Sequence, residues 1–287
     1  MIRTAIIEDD PTTIDLLRSA IDPAEDIEIV AVARNVGGGL SLIEAGGYDV
    51  LLCDLGLAPQ LVARTGFCIH PEQAVRAIPK VGGTKDVDLE RLRALAPTHV
   101  VVNIDENTKP VADALADFVP HVVVTHPNAP EDNLALYRLM GALFGCIHEA
   151  NMLCNRLLAA LAGARDAARD WPPQRVLYLI WKDPWMAVAP STYISQTLAT
   201  VGWHIVPQSP EPRYPEVQLP AGAREADLVL LSTEPYMFRQ RHVAELRALL
   251  PDRQVGLIDG EMTSWYGSRA IHGLEYLPRF RAQLNAV

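Results

Sequence analysis

The feature that most constrains this chain is the segment 128–170, which reads as helix almost throughout. Its apolar residues Leu136, Leu139, Leu143, Ile147, Leu153, Leu157 and Leu161 recur mostly at spacings of three and four, the signature of one buried helical stripe. Gly and Pro are nearly absent from its second half, and Trp171-Pro172-Pro173 stops it. A single rigid helix crossing once between two bodies permits only small hinge motion, because bending breaks i to i−4 hydrogen bonds.

On either side of this segment strands alternate with helices. Before it, strands are expected at 4–8, 27–33, 48–53, 60–66, 99–103 and 121–125, with helices at 11–20, 39–45 and 88–95. After it, strands are expected at 175–181, 204–207, 227–232 and 254–259. Helices are expected there at 192–201, 241–250 and 268–276, with Pro278 kinking the last or starting another. Strands joined by helix-length connections pair in parallel. The expected fold class is therefore α/β: two Rossmann-like lobes with parallel sheets, joined by a long helix. The predicted domains are 1–57 and 58–127 in the first lobe, 128–170 as the connecting helix, and 171–287 as the second lobe.

Composition narrows the function. A formal charge of −10 over 287 residues argues against nucleic acid, since neutralising phosphates needs a basic face. No apolar run is long enough to span a bilayer. The first residues, MIRTAIIEDD, lack the basic flank, apolar core and cleavage site of a signal peptide, so the chain as written is expected in the cytoplasm. Cys53, Cys68, Cys146 and Cys154 form no CxxC and are expected to be thiols. No GxSxG, HExxH or Walker sequence is present, and enzyme activity is not expected.

Three stretches carry a resemblance: CDLGLAPQLVARTGFCIHPEQAVRAIPKVGGTKDVDLERLRALAPTHVVVN at 53–103, RVLYLIWKDPWMAVAPSTYISQTLATVGW at 175–203 and DGEMTSWYGSRAIHGLEYL at 259–277. From about Asp54 onward the chain resembles the helical-backbone class of periplasmic binding proteins, and within it the cobalamin-binding branch. The resemblance implies a monomeric protein that closes two lobes on a corrinoid ligand and, in its natural setting, hands it to an ABC importer. Relatives in that class also bind haem and iron–siderophore complexes.

The first 57 residues carry a different resemblance. IIEDDPTTIDLL followed by YDVLLCDLGL is similar to the front half of a response-regulator receiver, a flavodoxin-like βαβαβ unit. That likeness implies Mg²⁺ held by Glu8, Asp9 and Asp54, with Asp54 accepting phosphate. The Lys and hydroxyl that complete a receiver have no match here. Two α/β patterns joined near Asp54 read as a chimera, by natural fusion or deliberate recombination, since right-handed parallel crossovers let one sheet continue into the other. A phosphorelay receiver is the alternative function.

A corrinoid is a broad apolar ring system edged with amides, so its site needs aromatic faces and a few polar groups. Loops that follow strands are the expected place. Phe67 and His70 follow a first-lobe strand, and Asn103 aligns with a cleft position of the family. Trp181 and Trp185 end or follow the first strand of the second lobe, and Trp265 and Tyr266 follow its last. Trp185, Trp265 and Tyr266 are the expected apolar walls. An indole at a strand end also packs in cores, and Trp181 reads equally well as the last inward residue of its strand. His70 is a pocket-lining or axial-ligand candidate, because neutral imidazole suits such metals. No cofactor is required for function; cobalamin is the expected ligand, with Mg²⁺ at the acidic cluster.

Overall fold

A computed structural model describes the backbone at residues 2–7, 27–33, 39–42, 48–209 and 211–285, and the side chains from residue 51 within those ranges. The chain divides into two compact units. The first holds residues 1–126 and 134–154, and the second residues 127–133 and 155–287.

In the first unit, β1 (Ile2–Ile7) pairs in parallel with β2 (Ile27–Ala33). A four-stranded sheet runs β4-β3-β5-β6, all parallel, from β3 (Gly39–Leu42), β4 (Leu61–Ala63), β5 (Pro97–Asn103) and β6 (His121–Thr125). Its core gathers Ala63, Val81, Leu92, Val100, Val102, Leu115 and Val119. Val100, Val101 and Val102 of β5 are all buried, as expected for a parallel strand covered on both faces.

Two sequence expectations fail here. Residues 39–45 were expected to be helical, yet Gly39–Leu42 is the strand β3, hydrogen-bonded on both sides by β4 and β5. Tertiary pairing overrides local preference at an interior strand. Residues 48–53 were expected to be a strand, yet Tyr48–Asp54 is the helix α1. Leu51, Leu52 and Leu55 are buried, and that i, i+1, i+4 set lies on one helical face. In so short an apolar run, strand and helix cannot be separated by period alone. The DLGL phrase is a helix C-cap. Gly56 has φ +80°, its N–H reaches Cys53 O, and Leu57 N reaches Leu52 O at 2.8 Å, the double bond of a Schellman ending.

The first unit's further helices are α2 (Glu72–Val75), α3 (Leu89–Ala94) and α4 (Lys109–Ala116). Asp88 caps α3 by accepting from Arg91 N–H at 3.0 Å.

The long helix expected over 128–170 is two helices, α5 (Asn133–Leu143) and α6 (Ile147–Ala168). Gly145, at φ +69°, ends the first, a conformation that an L side chain resists. The two helices approach so closely that a Cβ on Gly141 would lie 2.5 Å from Ala150 Cβ. The expectation of one rigid rod is thereby corrected: a left-handed glycine interrupts the hydrogen-bond ladder within an otherwise periodic pattern.

The second unit is built on β7 (Gln174–Trp181), whose partners are β10 (Leu228–Ser232) on one side, β9 (Trp203–Ile205) in parallel, and the short antiparallel β8 (Met186–Ala187). β11 (Gln254–Ile258) extends the sheet beyond β10. Helices α7 (Tyr193–Ala199), α8 (Gln240–Leu249), α9 (Glu261–Ser264) and α10 (Arg269–Asn285) complete it. Pro278 lies inside α10 rather than starting a new helix. The core contains Leu177, Leu179, Val229, Leu231, Phe238, Val243 and Leu246. Among the described residues, no helix is long and apolar enough to cross a membrane.

Candidate functional site

In open parallel sheets, ligands bind at the carboxyl ends of strands, where the connecting loops are free to vary. Each unit has such an edge.

In the first unit the edge is formed by the loops after β4, β5 and β6. Phe67 is 56% exposed and Ile104 57%, with Ile69 exposed between them in sequence. Ile147, Met152, Leu158 and Leu249 on helices are exposed to a similar degree, so exposure counts here only together with the strand-end position. His70 is half-buried and precedes Pro71. Asn103 is buried, its Oδ1 accepting from Asp105 N–H at 2.8 Å and its own N–H bonded to Asn107 Oδ1. Its amide therefore shapes the turn after β5. Beside it, burial raises the Glu106 carboxyl above its ordinary pKa, with Lys85 opposing. His126 Nε2 lies 3.4 Å from Asp105 Oδ1.

In the second unit, Trp181 is 41% exposed and meets Tyr236 edge-on at 5.5 Å. Trp185 stacks flat on Phe238 at 5.9 Å, with Lys182 Nζ 5.4 Å from its ring, and packs against the core of that unit. Trp265 is only 7% exposed. Its Nε1–H donates to Glu234 Oε2 at 2.9 Å, and Arg269 lies over its ring. Tyr266 is buried and meets Tyr193 edge-on. Behind these side chains a hydroxyl network ties the strand ends together. Tyr178 donates to Ser232 Oγ at 3.0 Å and stands 2.5 Å from Thr263 Oγ1, while Ser232 Oγ accepts from Glu234 N–H.

Sequence reasoning missed Tyr236, Met237 and Phe238, in the loop after β10. The phrase TEPYMF directly follows the apolar run LVLLS, so the rule that selected Trp181 selects these residues too. Arg64, buried at the end of β4, was missed because its role depends on carbonyls that only the fold assembles.

Of the acidic cluster only Asp54 is described. Glu8 and Asp9 lie outside the described residues. Asp54 ends helix α1 and is exposed, whereas a receiver requires it at a strand terminus. Among the described residues, no group of three metal-ligating side chains is assembled.

The model of the periplasmic binding protein family matches residues 45–218, more than half of the chain. The chain belongs to this family. Its members are solute-binding proteins, not enzymes. The binding protein is similar in fold to a periplasmic heme-binding protein, RhuT, from Roseiflexus sp. RS-1, in its apo form. Identity is 18% and the TM-score 0.73, covering 87% of this chain and 99% of that one. It is similar also to the periplasmic vitamin B12 binding protein BtuF of Vibrio cholerae, at 15% identity and TM-score 0.71, covering 86% and 97%. A periplasmic heme-binding protein from Pseudomonas aeruginosa is similar at 19% identity and TM-score 0.72, covering 85% and 92%. No curated protein matches the sequence of this binding protein. The receiver and chimera readings of the first 57 residues gain nothing from these likenesses.

Proposed function

We propose that this protein captures a corrinoid of the cobalamin type, with carboxyl-edge loops as its ligand contacts, and delivers it to an ABC importer. The observation that carries this reading is the set of apolar side chains kept in water on those loops: Phe67, Ile69 and Ile104 in the first unit, Trp181 and Met237 (64% exposed) in the second. Such a set suits a flat macrocycle better than a sugar or amino acid.

Charge favours the neutral, amide-edged macrocycle over a carboxylate-bearing one. At the ends of β7, β10 and β11 in the second unit stand Asp183, Glu234, Asp259 and Glu261, against Lys182, Arg239 and Arg269. Lys182 is already held by Glu245 at 2.6 Å, and Arg269 at the start of α10 pairs with Glu261. A dianionic haem would face like charge there, which costs affinity and selects against that partner. Relatives named for vitamin B12 and for heme share the fold, and this charge pattern supports the first.

The test is titration with cyanocobalamin and, separately, hemin, following tryptophan fluorescence. Saturable quenching by cyanocobalamin at about micromolar concentration, with hemin weaker, is the expected result. Saturation by hemin alone would reverse the assignment, and no response to either would end it.

A further inference from the structure

We infer that Arg64 is the positioning residue for the solute contacts of the first unit: its buried guanidinium fixes the β4–α2 loop so that Phe67 and Ile69 stay presented at the sheet edge. The inference rests on the reading above that this edge meets solute. Arg64 directly follows β4 and is 6% exposed. Its Nε donates to Val75 O at 2.8 Å, and its Nη1 to Cys68 O at 2.8 Å and Thr65 O at 3.2 Å. These carbonyls flank the two exposed apolar residues, Thr65 before them, Cys68 between them and Val75 beyond. The backbone of Arg64 is itself locked: its N–H reaches Pro79 O and its carbonyl accepts from Val81 N–H. Among the described residues, the guanidinium bonds only backbone carbonyls.

A loop that exposes two large apolar side chains gains free energy by turning them inward. Holding them outward needs a rigid internal brace, and a planar fork with several donors in fixed geometry supplies one. Lysine keeps the charge and the stem, but its single ammonium cannot reach three carbonyls spread along the loop. The Thr65 hydroxyl, 3.4 Å from Cys68 Sγ, adds a second tie within the same turn.

A double-mutant cycle in the full chain distinguishes positioning from general support. Arg64→Lys, Phe67→Ala and the pair are compared by cyanocobalamin affinity and thermal unfolding. Arg64→Lys is expected to weaken binding about tenfold, and to cost clearly less once Phe67 is alanine, the remainder reporting Ile69. Additive losses, or unchanged affinity in Arg64→Lys, would overturn the inference. Hydrogen exchange on the unaltered protein gives a reading independent of any variant's folding. The Gly66 amide at the base of the loop, bonded to Gly82 O at 2.9 Å, is expected to be protected, and exchange there as fast as an unbraced loop would sink the proposal. If the unaltered protein binds no cyanocobalamin, the solute reading fails, and this exchange measurement still decides whether Arg64 braces the loop.

Discussion

Trp265 and Glu234 are joined by a 2.9 Å hydrogen bond from indole Nε1–H to carboxylate Oε2, linking the loop after β11 to the loop after β10. Trp265 is nearly buried, so the bond replaces water that the indole has lost. Glu234→Ala leaves that donor without its acceptor and is expected to cost about 1–3 kcal/mol, read as a lower melting temperature. Glu234→Gln keeps an acceptor oxygen and should recover most of the loss. Equal melting temperatures for Glu234→Ala and the unaltered protein would show that the bond contributes nothing.

His99 couples stability to acidity. It is buried on β5, with its ring 4.7 Å from His121 and 5.3 Å from Phe144, and Thr98 Oγ1 stands 3.0 Å from its Nδ1. Burial, with His121 adding to it, pushes its pKa from 6.5 down to about 4. The neutral ring is the folded form, so nothing is lost above the unfolded value of 6.5. Between that pH and about 4 the unfolded chain takes up a proton that the folded one refuses. Stability is expected to fall across this window by up to about 3 kcal/mol, at 1.4 kcal/mol per unit. His121, shifted down by burial in the same sense, adds to the slope. Denaturant titrations at pH 7.5 and pH 4.5 should show the drop, and His99→Phe should flatten it.

Gly273 sits where α10 passes α9, and a Cβ there would lie 2.2 Å from the backbone oxygen of Met262. Alanine gains about 1 kcal/mol in helix propensity. The clash with backbone nevertheless outweighs that gain, as overpacking at a rigid site does. Gly273→Ala is expected to destabilise the protein by about 1–3 kcal/mol by urea unfolding. A stabilised variant would show that α9 shifts freely.

Arg281 is fully buried between the rings of Trp171 and Trp203, at 5.1 and 5.7 Å, and donates to Val201 O and Pro172 O. Arg281→Ala removes the stem from the core and strands two carbonyls. A loss of about 3 kcal/mol is expected, visible as a lower unfolding midpoint. A loss under about 0.5 kcal/mol would mean that the desolvation cost of the cation cancels its contacts.

Phe67 presents the opposite case. Being mostly exposed, it contributes little to folding, so Phe67→Ala should leave the unfolding midpoint within about 0.5 kcal/mol of the unaltered protein. Cyanocobalamin affinity should fall by at least about fivefold, the ordinary effect of losing an aromatic contact of about 1 kcal/mol. Unchanged affinity, measured by fluorescence titration, would remove Phe67 from the site.

The sequence by itself determined the alternation of strands and helices, because a parallel strand buried on both faces must be a short continuous apolar run. It determined the stop at Trp171-Pro172-Pro173, which acts through neighbouring backbone groups. It also pointed to the strand-end loops that bear Phe67 and Trp181. Only the tertiary structure decided that Gly39–Leu42 is a strand and Tyr48–Asp54 a helix, since the deciding hydrogen bonds and burial come from distant partners. The same holds for the division of residues 128–170 at Gly145, where one left-handed residue outweighs a regular pattern on both sides. Arg64 and the Trp265–Glu234 pair belong there as well. Their roles depend on carbonyls and carboxylates brought within 3 Å by the fold, and a spacing along the chain holds no record of such distances.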